Sequence, residues 1–201
     1  MGDITIPQPV KLISGILAAS PAWLERGKQA LRGRFGEIEA ESVPIPFSFS
    51  DYYRDELGDS ILRQFLSFQA PLSAEDLADI KIATNEMEIL LSERGKRKTN
   101  LDPGYVDLSK LVLATTKDAT YRVYLGKGIY AQPTLVFREG SFRPWEWTYP
   151  DYREAGAIEF FNKVRQGYKD EGREKRLRKD TQGYVKIREV TGGNSRLRED
   201  A

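Results

Sequence analysis

The chain has 201 residues and a formal net charge of +1, from 31 Lys and Arg against 30 Asp and Glu. It contains no Cys and no His, which excludes zinc sites built from those residues, Ser-His-Asp triads, Cys-His pairs and iron–sulfur clusters. Any catalysis must therefore use carboxylates, Lys, Arg, Tyr, Ser or Thr, or a hard metal ion on oxygen ligands.

Hydropathy and charge also limit where the protein is expected to be located and which partners it is expected to bind. No apolar run approaches the roughly 20 residues that cross a bilayer, and the first residues lack the charged start and apolar stretch of a signal peptide. The balanced charge argues against a strongly basic nucleic-acid binder. We expect a soluble, cytoplasmic protein with no membrane partner.

The first third of the chain predicts a strand, a helix and a second strand. Residues 10–18 form an apolar run typical of a buried strand. Ser20, followed by a Pro, is a typical helix N-cap, and Gly36 is placed to end that helix. Residues 42–50 alternate apolar with small or Pro side chains, which predicts an edge strand.

The middle third predicts a strand, a helix, a loop and an extended segment. Residues 61–68 have strand character. Ser73 and Asp76 form a variant of the capping box, so a second helix is expected to start there and to end at Gly95. The basic loop that follows closes on Asp-Pro-Gly, a turn sequence, before an extended segment with a break near Ser109.

The last third predicts hairpins and a final helix. Two strand-like runs flank the turn at 126–128, another turn follows at 139–141, and apolar spacing predicts a helix over 155–168. Residues 169–201 are charged and nearly free of large apolar side chains, which predicts a disordered, solvated tail. We therefore expect a single domain over 1–168 and a tail over 169–201.

The order of these elements predicts an α+β fold. Its first six elements match the ferredoxin-like β-α-β-β-α-β arrangement, which an antiparallel hairpin region and a C-terminal helix would extend. The alternative is a mixed α/β sheet built from the same elements.

The segment Asn100–Tyr105 is the strongest local candidate for a binding site. It combines an amide, a carboxylate, a turn sequence and a phenol beside a basic run. A tight turn can present backbone N–H groups to an anion, and Asp102 can ligate Mg²⁺ or act as a base. The alternative is a plain Asx turn in which Asp102 binds its own backbone.

Two other motifs resemble nucleotide-binding elements. Residues 126–131 match the glycine spacing of the dinucleotide fingerprint, but a strand follows where that site needs a helix, so we predict a hairpin turn with Lys127 at its tip. Thr115–Asp118 resembles the base-reading element of GTPases but is one residue short. Since the chain has no P-loop, it is not expected to be a conventional P-loop nucleoside triphosphatase.

The resulting hypothesis is a site for a nucleotide or another phosphate-bearing ligand without a conventional P-loop. The candidate ligand-binding residues are Asn100, Asp102, Gly104, Tyr105, Lys117, Asp118 and Lys127. Asp102 and Asp118 are the candidate ligands of a Mg²⁺ cofactor. Whether the protein is an enzyme stays open at this point; its composition favours only carboxylate-assisted or metal-assisted hydrolysis.

The alternative hypothesis is a non-catalytic module that binds RNA or a protein partner. Aromatic side chains cluster at 51–53 and 145–152 and could stack on bases. Both clusters carry acids and lie at the ends of elements, which favours packing at an interface or over the core.

Several ordered motifs resemble an uncharacterised bacterial family, domain of unknown function 4416. They are PVKL at 9–12, SDYY at 50–53, FLSF at 65–68, TNEME at 84–88, NLDPGY at 100–105, KLVLATTKD at 110–118, YLGKGIYA at 124–131, WTYPDY at 147–152 and FFNKVR at 160–165. The resemblance covers about residues 9–168. It implies a bacterial protein of uncharacterised function, in a family whose members are sometimes labelled GTP-binding, and it implies no catalytic residues.

Overall fold

The computed structural model describes the backbone of residues 2–191 and the side chains of residues 2–174. It comprises two units, residues 1–165 and 166–201. The strands are β1 (Val10–Ala18), β2 (Ile38–Glu41), β3 (Ile45–Pro46), β4 (Leu62–Leu72), β5 (Ser92–Glu93), β6 (Lys96–Arg97), β7 (Thr99–Val106), β8 (Lys110–Thr115), β9 (Val123–Gly126), β10 (Ile129–Arg138) and β11 (Ser141–Pro144). The helices are α1 (Pro21–Phe35), α2 (Arg54–Leu57), α3 (Leu77–Leu90), α4 (Pro150–Arg153) and α5 (Ala155–Thr191).

Nine of these strands form one sheet in the order β11-β10-β8-β7-β1-β4-β2, with β3 paired to β4 and β9 paired to β10. Every strand pair within the described residues is antiparallel. The α+β prediction is therefore confirmed, and the mixed-sheet alternative is wrong. Of the strands predicted for the core, 10–18 and 61–68 correspond to β1 and β4, which pair with each other. The predicted extended segment corresponds to the end of β7 and to β8, and most of β7 lies where a loop was predicted.

Apolar side chains on β1 point alternately to two core regions, one on each face of the sheet. On one face, Leu12 and Ile16 pack in a cluster with Leu31 of α1 and Ile80 of α3. On the other face, Ile13 belongs to a cluster with Phe65, Tyr152 and the start of α5. The sheet is thus covered on both sides.

The sheet splits between β7 and β8. The two strands pair only from Gly104–Leu113 to Val106–Leu111, while Thr115 of β8 remains paired to β10. The split begins at Pro103, which is buried and has no N–H to donate to a ladder. The first half of β7 therefore has β1 on one side and no described strand on the other.

The strongest local signals were confirmed. Ser20 caps α1, since its Oγ accepts from the backbone N of Trp23 at 3.4 Å. The break near Ser109 separates β7 from β8, and the glycines at 126 and 128 turn the β9–β10 hairpin with positive φ. The predicted edge strand at 42–50 is reduced to β3, while β2 was not predicted.

Two predictions in the middle third were wrong. Ser73 makes no side-chain cap; residues Ala74–Asp76 form a 3-10 turn before α3, which ends at Leu90. Gly95 instead lies between β5 and β6 with φ 76°. The Asp-Pro-Gly sequence is not a turn but the interior of β7, where Asp102 pairs with Gly15 of β1.

The C-terminal helix differs in length from the prediction. The spacing of apolar residues predicted a helix over 155–168, whereas α5 runs to Thr191 and so includes most of the segment predicted as a tail. Residues 192–201, which belong to that prediction, lie outside the described residues.

Candidate functional site

A cavity of about 440 Å³ lies where β7 and β8 separate. Four groups of residues line it: an ionic floor, a set of side chains from α3 and β6, an aromatic wall, and the ends of β8 and β10. This volume lies within the range of small-molecule sites, roughly 300–1,000 Å³.

The floor is a buried ion cluster around Arg63. Its Nε donates to Asp151 Oδ2 at 2.6 Å and its Nη1 donates to Asp102 Oδ2 at 2.9 Å. Asn100 Nδ2 donates to the other Asp102 oxygen at 2.8 Å. The Arg63 side chain is only 4% exposed. Burial alone would lower the pKa of Arg63, but the charges of Asp151 and Asp102 outweigh it and raise that pKa above its ordinary value.

Strand register explains why these residues meet. Asn100 lies opposite Leu17 of β1, which lies opposite Arg63 of β4, and residues opposite one another share a face. Gly15, opposite Asp102, leaves the space that the guanidinium occupies. A Cβ at Gly15 would lie 2.7 Å from Arg63 Nη1 and 2.6 Å from the buried hydroxyl of Tyr152.

The α3 side of the cavity replaces the missing strand next to β7. Lys81 Nζ donates to the carbonyl oxygen of Leu101 at 2.8 Å, and the Leu101 N–H donates to Glu88 Oε1 at 2.7 Å. Burial raises the pKa of Glu88, against the opposing effect of Lys81 and Arg97. These buried charges therefore satisfy backbone groups that a neighbouring strand would otherwise bind.

The aromatic wall comes from residues 47–53, which we call the aromatic segment, together with Tyr149. Tyr52 and Tyr53 have ring centroids 5.0 Å apart, and Lys117 Nζ lies 4.2 Å from the Tyr52 ring centroid. Burial raises the pKa of Tyr53 and of Tyr149, so both hydroxyls are neutral at pH 7.

An ion pair attaches the neighbouring helix α2 to the cavity. Arg97 Nη2 donates to Glu56 Oε2 at 2.6 Å, while Arg97 Nη1 binds Glu88. The hydrogen bond from Arg97 lowers the pKa of Glu56. Arg97 thus connects α2, the helix that follows the aromatic segment, to α3.

Gln132 of β10 closes the cavity on the side of β8. Its Oε1 accepts from Arg122 Nε at 2.9 Å. Its Nε2 is buried and has no hydrogen-bond partner among the described residues. Arg122 also donates to the Lys117 carbonyl oxygen at 2.7 Å and to the Tyr149 hydroxyl at 3.0 Å. One arginine therefore connects Gln132, the end of β8 and the aromatic wall.

Three of the seven predicted ligand-binding residues line this cavity: Asn100, Asp102 and Lys117. The other four do not. Gly104 lies in the paired part of β7, where a Cβ would collide with the carbonyl oxygen of Val112. The positions of these four predicted residues do not support a role for them in binding at the cavity.

The remaining predicted residues lie elsewhere for local reasons. Tyr105 packs on an apolar cluster that includes Val112. Asp118 is exposed. Lys127, at the tip of the β9–β10 turn as predicted, pairs with Asp79 at 2.5 Å.

The geometry does not favour the predicted Mg²⁺ site. Both carboxylate oxygens of Asp102 already accept hydrogen bonds from the floor, and Asp118 is not in the cavity lining. Among the described side chains, no group of three or more Asp or Glu residues is placed to hold a metal ion.

Sequence reasoning missed the residues at the centre of the site. They are Arg63, Gln132, Asp151, Glu88 and Arg122. The available signal was a polar side chain inside an apolar strand, as at Arg63 in residues 61–68 and Gln132 in residues 129–137. Such residues are rarely buried without a partner.

The fold and the cavity define an α+β protein with a polar, small-molecule-sized cavity in a split antiparallel sheet. A family model described as a domain of unknown function (DUF4416) matches residues 8–168, and the chain belongs to that family. This confirms the resemblance seen in the motifs. No curated protein and no solved structure gave a significant match. Within the described residues, no helix is long and apolar enough to cross a membrane.

Proposed function

We propose that the cavity binds a small ligand that combines a planar ring with a single anionic group, as in a nucleoside monophosphate. The observation that carries this proposal is the combination of an aromatic wall with Lys117 beside it. Aromatic rings of tyrosine stack on planar ligands, and an ammonium group attracts a phosphate.

The charges of the cavity favour one anionic group rather than several. Arg63, Lys81 and Arg97 are each neutralised by carboxylates or bound to a carbonyl oxygen. Lys117 makes no ion pair within the described part of the chain and lies over the Tyr52 ring. Arg122 beside the cavity is also without an ion pair among the described residues, but its guanidinium is bound to Gln132, the Lys117 carbonyl oxygen and the Tyr149 hydroxyl. A triphosphate would therefore find Lys117 alone, where P-loop proteins offer a lysine, a metal ion and a row of backbone N–H groups.

Ligand binding is tested first by thermal shift and then by calorimetry. The probes are the 5′-monophosphates of adenosine, inosine, cytidine and uridine, the four nucleosides, and inorganic phosphate. A ligand that binds only the folded protein raises its melting temperature. We expect a shift with at least one nucleotide and a smaller shift with its nucleoside.

Two variants and one control locate the binding. Lys117→Ala should weaken nucleotide binding about tenfold, to the level of the nucleoside, and Tyr52→Ala should weaken both ligands. Lys127→Ala is the matched control, because this exposed lysine pairs with Asp79 outside the cavity. A flat response to all probes, or equal effects of Lys117→Ala and Lys127→Ala, contradicts the proposal.

A second candidate function, binding of a protein partner, is favoured by the edge strand β9. Val123, Tyr124 and Leu125 are 61%, 60% and 42% exposed, and β9 pairs only with β10 in the described structure. An exposed edge strand can accept a strand from another chain. Sedimentation at rising concentration tests the simplest case, self-association, which Tyr124→Lys should abolish.

The aromatic cluster expected to carry a partner gives less support. Trp145 and Trp147 are half-buried and stack on each other, with ring centroids 5.2 Å apart. RNA binding, the other form of this alternative, is tested by titrating an oligouridylate at two salt concentrations, since contacts to phosphates weaken steeply with salt.

For the fold, we propose that β1, α1, β2, β4, α3 and β7 form a ferredoxin-like core. The adjacent strand order β7-β1-β4-β2 and the packing of α1 and α3 in one apolar cluster support this interpretation. The strands β8, β9, β10 and β11 extend that core at the β7 edge.

A further inference from the structure

The amide of Gln132 is the least satisfied polar group of the cavity lining. Gln132 lies on β10 opposite Leu113 of β8 and is 0% exposed. Its Nε2 has no partner among the described residues. A buried amide N–H without an acceptor costs free energy comparable to a lost hydrogen bond. Because Gln132 lines the cavity, a ligand acceptor that binds Nε2 would remove this cost.

The hydrogen bond from Arg122 determines which atom of the Gln132 amide has no partner among the described residues. A guanidinium only donates hydrogen bonds, so Gln132 Oε1 must face Arg122 Nε, at 2.9 Å. Arg122 is itself held by the Lys117 carbonyl oxygen and the Tyr149 hydroxyl. Rotating the amide by 180° would set two donors against each other. The unpaired end is therefore an N–H donor.

We infer that the ligand places a carbonyl oxygen against Gln132 Nε2, so the cavity selects a ring with an oxo group over the same ring with an amino group. This inference rests on the proposed function. Gln132 is then the specificity-determining residue, and Arg122 is a positioning residue that acts through it. A buried donor discriminates strongly, because the wrong ligand leaves it unpaired or sets donor against donor.

Matched pairs of nucleotides test the selection by calorimetry on the full chain. Inosine 5′-monophosphate has an oxo group beside a ring N–H where adenosine 5′-monophosphate has an amino group beside a bare ring nitrogen, and uridine and cytidine 5′-monophosphates differ likewise. In the pair that binds more tightly, we expect the oxo nucleotide to bind about tenfold more tightly than its amino counterpart. Equal affinities within both pairs overturn the inference but leave the proposed function intact. Absence of binding by all four overturns both.

Substitutions at Gln132 should change the ratio of affinities. Gln132→Glu keeps an oxygen for Arg122 and replaces the donor by an acceptor, so the preference should reverse. Gln132→Met removes the donor, and the ratio should fall to about one. Gln64→Met is the control, because Gln64 is buried on β4 and also has an unpartnered amide atom but does not line the cavity. Persistence of the wild-type ratio in both Gln132 variants overturns the inference.

Arg122→Met separates positioning from plain structural support. Without Arg122 the amide is free to rotate, so affinity for the amino nucleotide should rise relative to the oxo nucleotide and the ratio should fall. A structural role alone would weaken both nucleotides equally. An unchanged ratio in Arg122→Met therefore contradicts the role assigned to this residue.

Discussion

Replacing Arg63 by methionine should destabilise the fold more than any other single charge removal at the cavity. The variant keeps the apolar stem but leaves Asp151, whose side chain is 4% exposed, without its cation. Breaking a buried pair by removing one partner costs about 3–5 kcal/mol. For a chain of this size that lowers the melting temperature by roughly 6–20 °C.

Urea unfolding measures this loss as a lower midpoint at unchanged slope. Arg54→Met is the control, because Arg54 is 60% exposed and pairs only at the surface with Asp51 and Asp59; we expect it to cost less than about 1 kcal/mol. The double variant Arg63→Met/Asp151→Leu removes both buried charges and should recover at least half of the lost stability. A loss below about 1 kcal/mol for Arg63→Met, or a double variant no more stable than the single one, refutes this reasoning.

Four further substitutions probe features outside the ion cluster. Gly104→Ala should cost about 1–3 kcal/mol in urea unfolding, because its Cβ would meet backbone that cannot move away, whereas Gly33→Ala on the open side of α1 should stabilise by about 0.5–1 kcal/mol. Burial opposes ionisation of Asp107, but hydrogen bonds from Lys110 and Ser109 outweigh it and lower its pKa. The ionised Asp107 therefore stabilises the fold at any pH above the pKa of 3.8 that it has in the unfolded chain. Asp107→Asn should lower the free energy of unfolding at pH 7, and this loss should disappear as the pH falls through the lowered pKa of the folded state. A loss of stability that is independent of pH contradicts this prediction. Glu56→Gln should speed hydrogen exchange of the amides of residues 51–57 and leave α1 unchanged, because the ion pair with Arg97 and one of the two acceptor oxygens are lost.

Local signals predicted the elements whose ends are decided locally. Ser20 and Gly36 limit α1 because a cap depends on the residue itself. The turn predicted at Asp-Pro-Gly does not form, because tertiary packing overrides the turn propensity of this sequence. Pro103 has no N–H that requires a strand partner where β8 separates from β7. Gly104 has no Cβ, so the carbonyl oxygen of Val112 can pack against its backbone. The Asx turn expected at Asp102 exists at Asp107, whose Oδ1 accepts from the Ser109 N–H at 2.6 Å.

The site was less predictable than the fold because its residues are distant in sequence. Arg63 and Asp151 are separated by 88 positions, and nothing local pairs them. Asn100 and Asp102 line the cavity, but the turn on which their selection as site residues rested does not exist. The cavity itself follows from a proline that ends a strand pairing, and such an effect requires knowledge of the register.

The two hydrogen bonds from α3 to Leu101 have a mechanical consequence. Lys81 and Glu88 are two helical turns apart and hold the carbonyl and the N–H of the same residue. A slide of α3 by one residue, about 1.5 Å, would break both bonds at once. The helix and the strand are therefore coupled to each other, and together they carry Asn100 and Asp102 of the floor and one side of the cavity. In the proposed function, closure around a ligand then falls to the aromatic segment, which is followed directly by α2 and joined through α2 to Arg97.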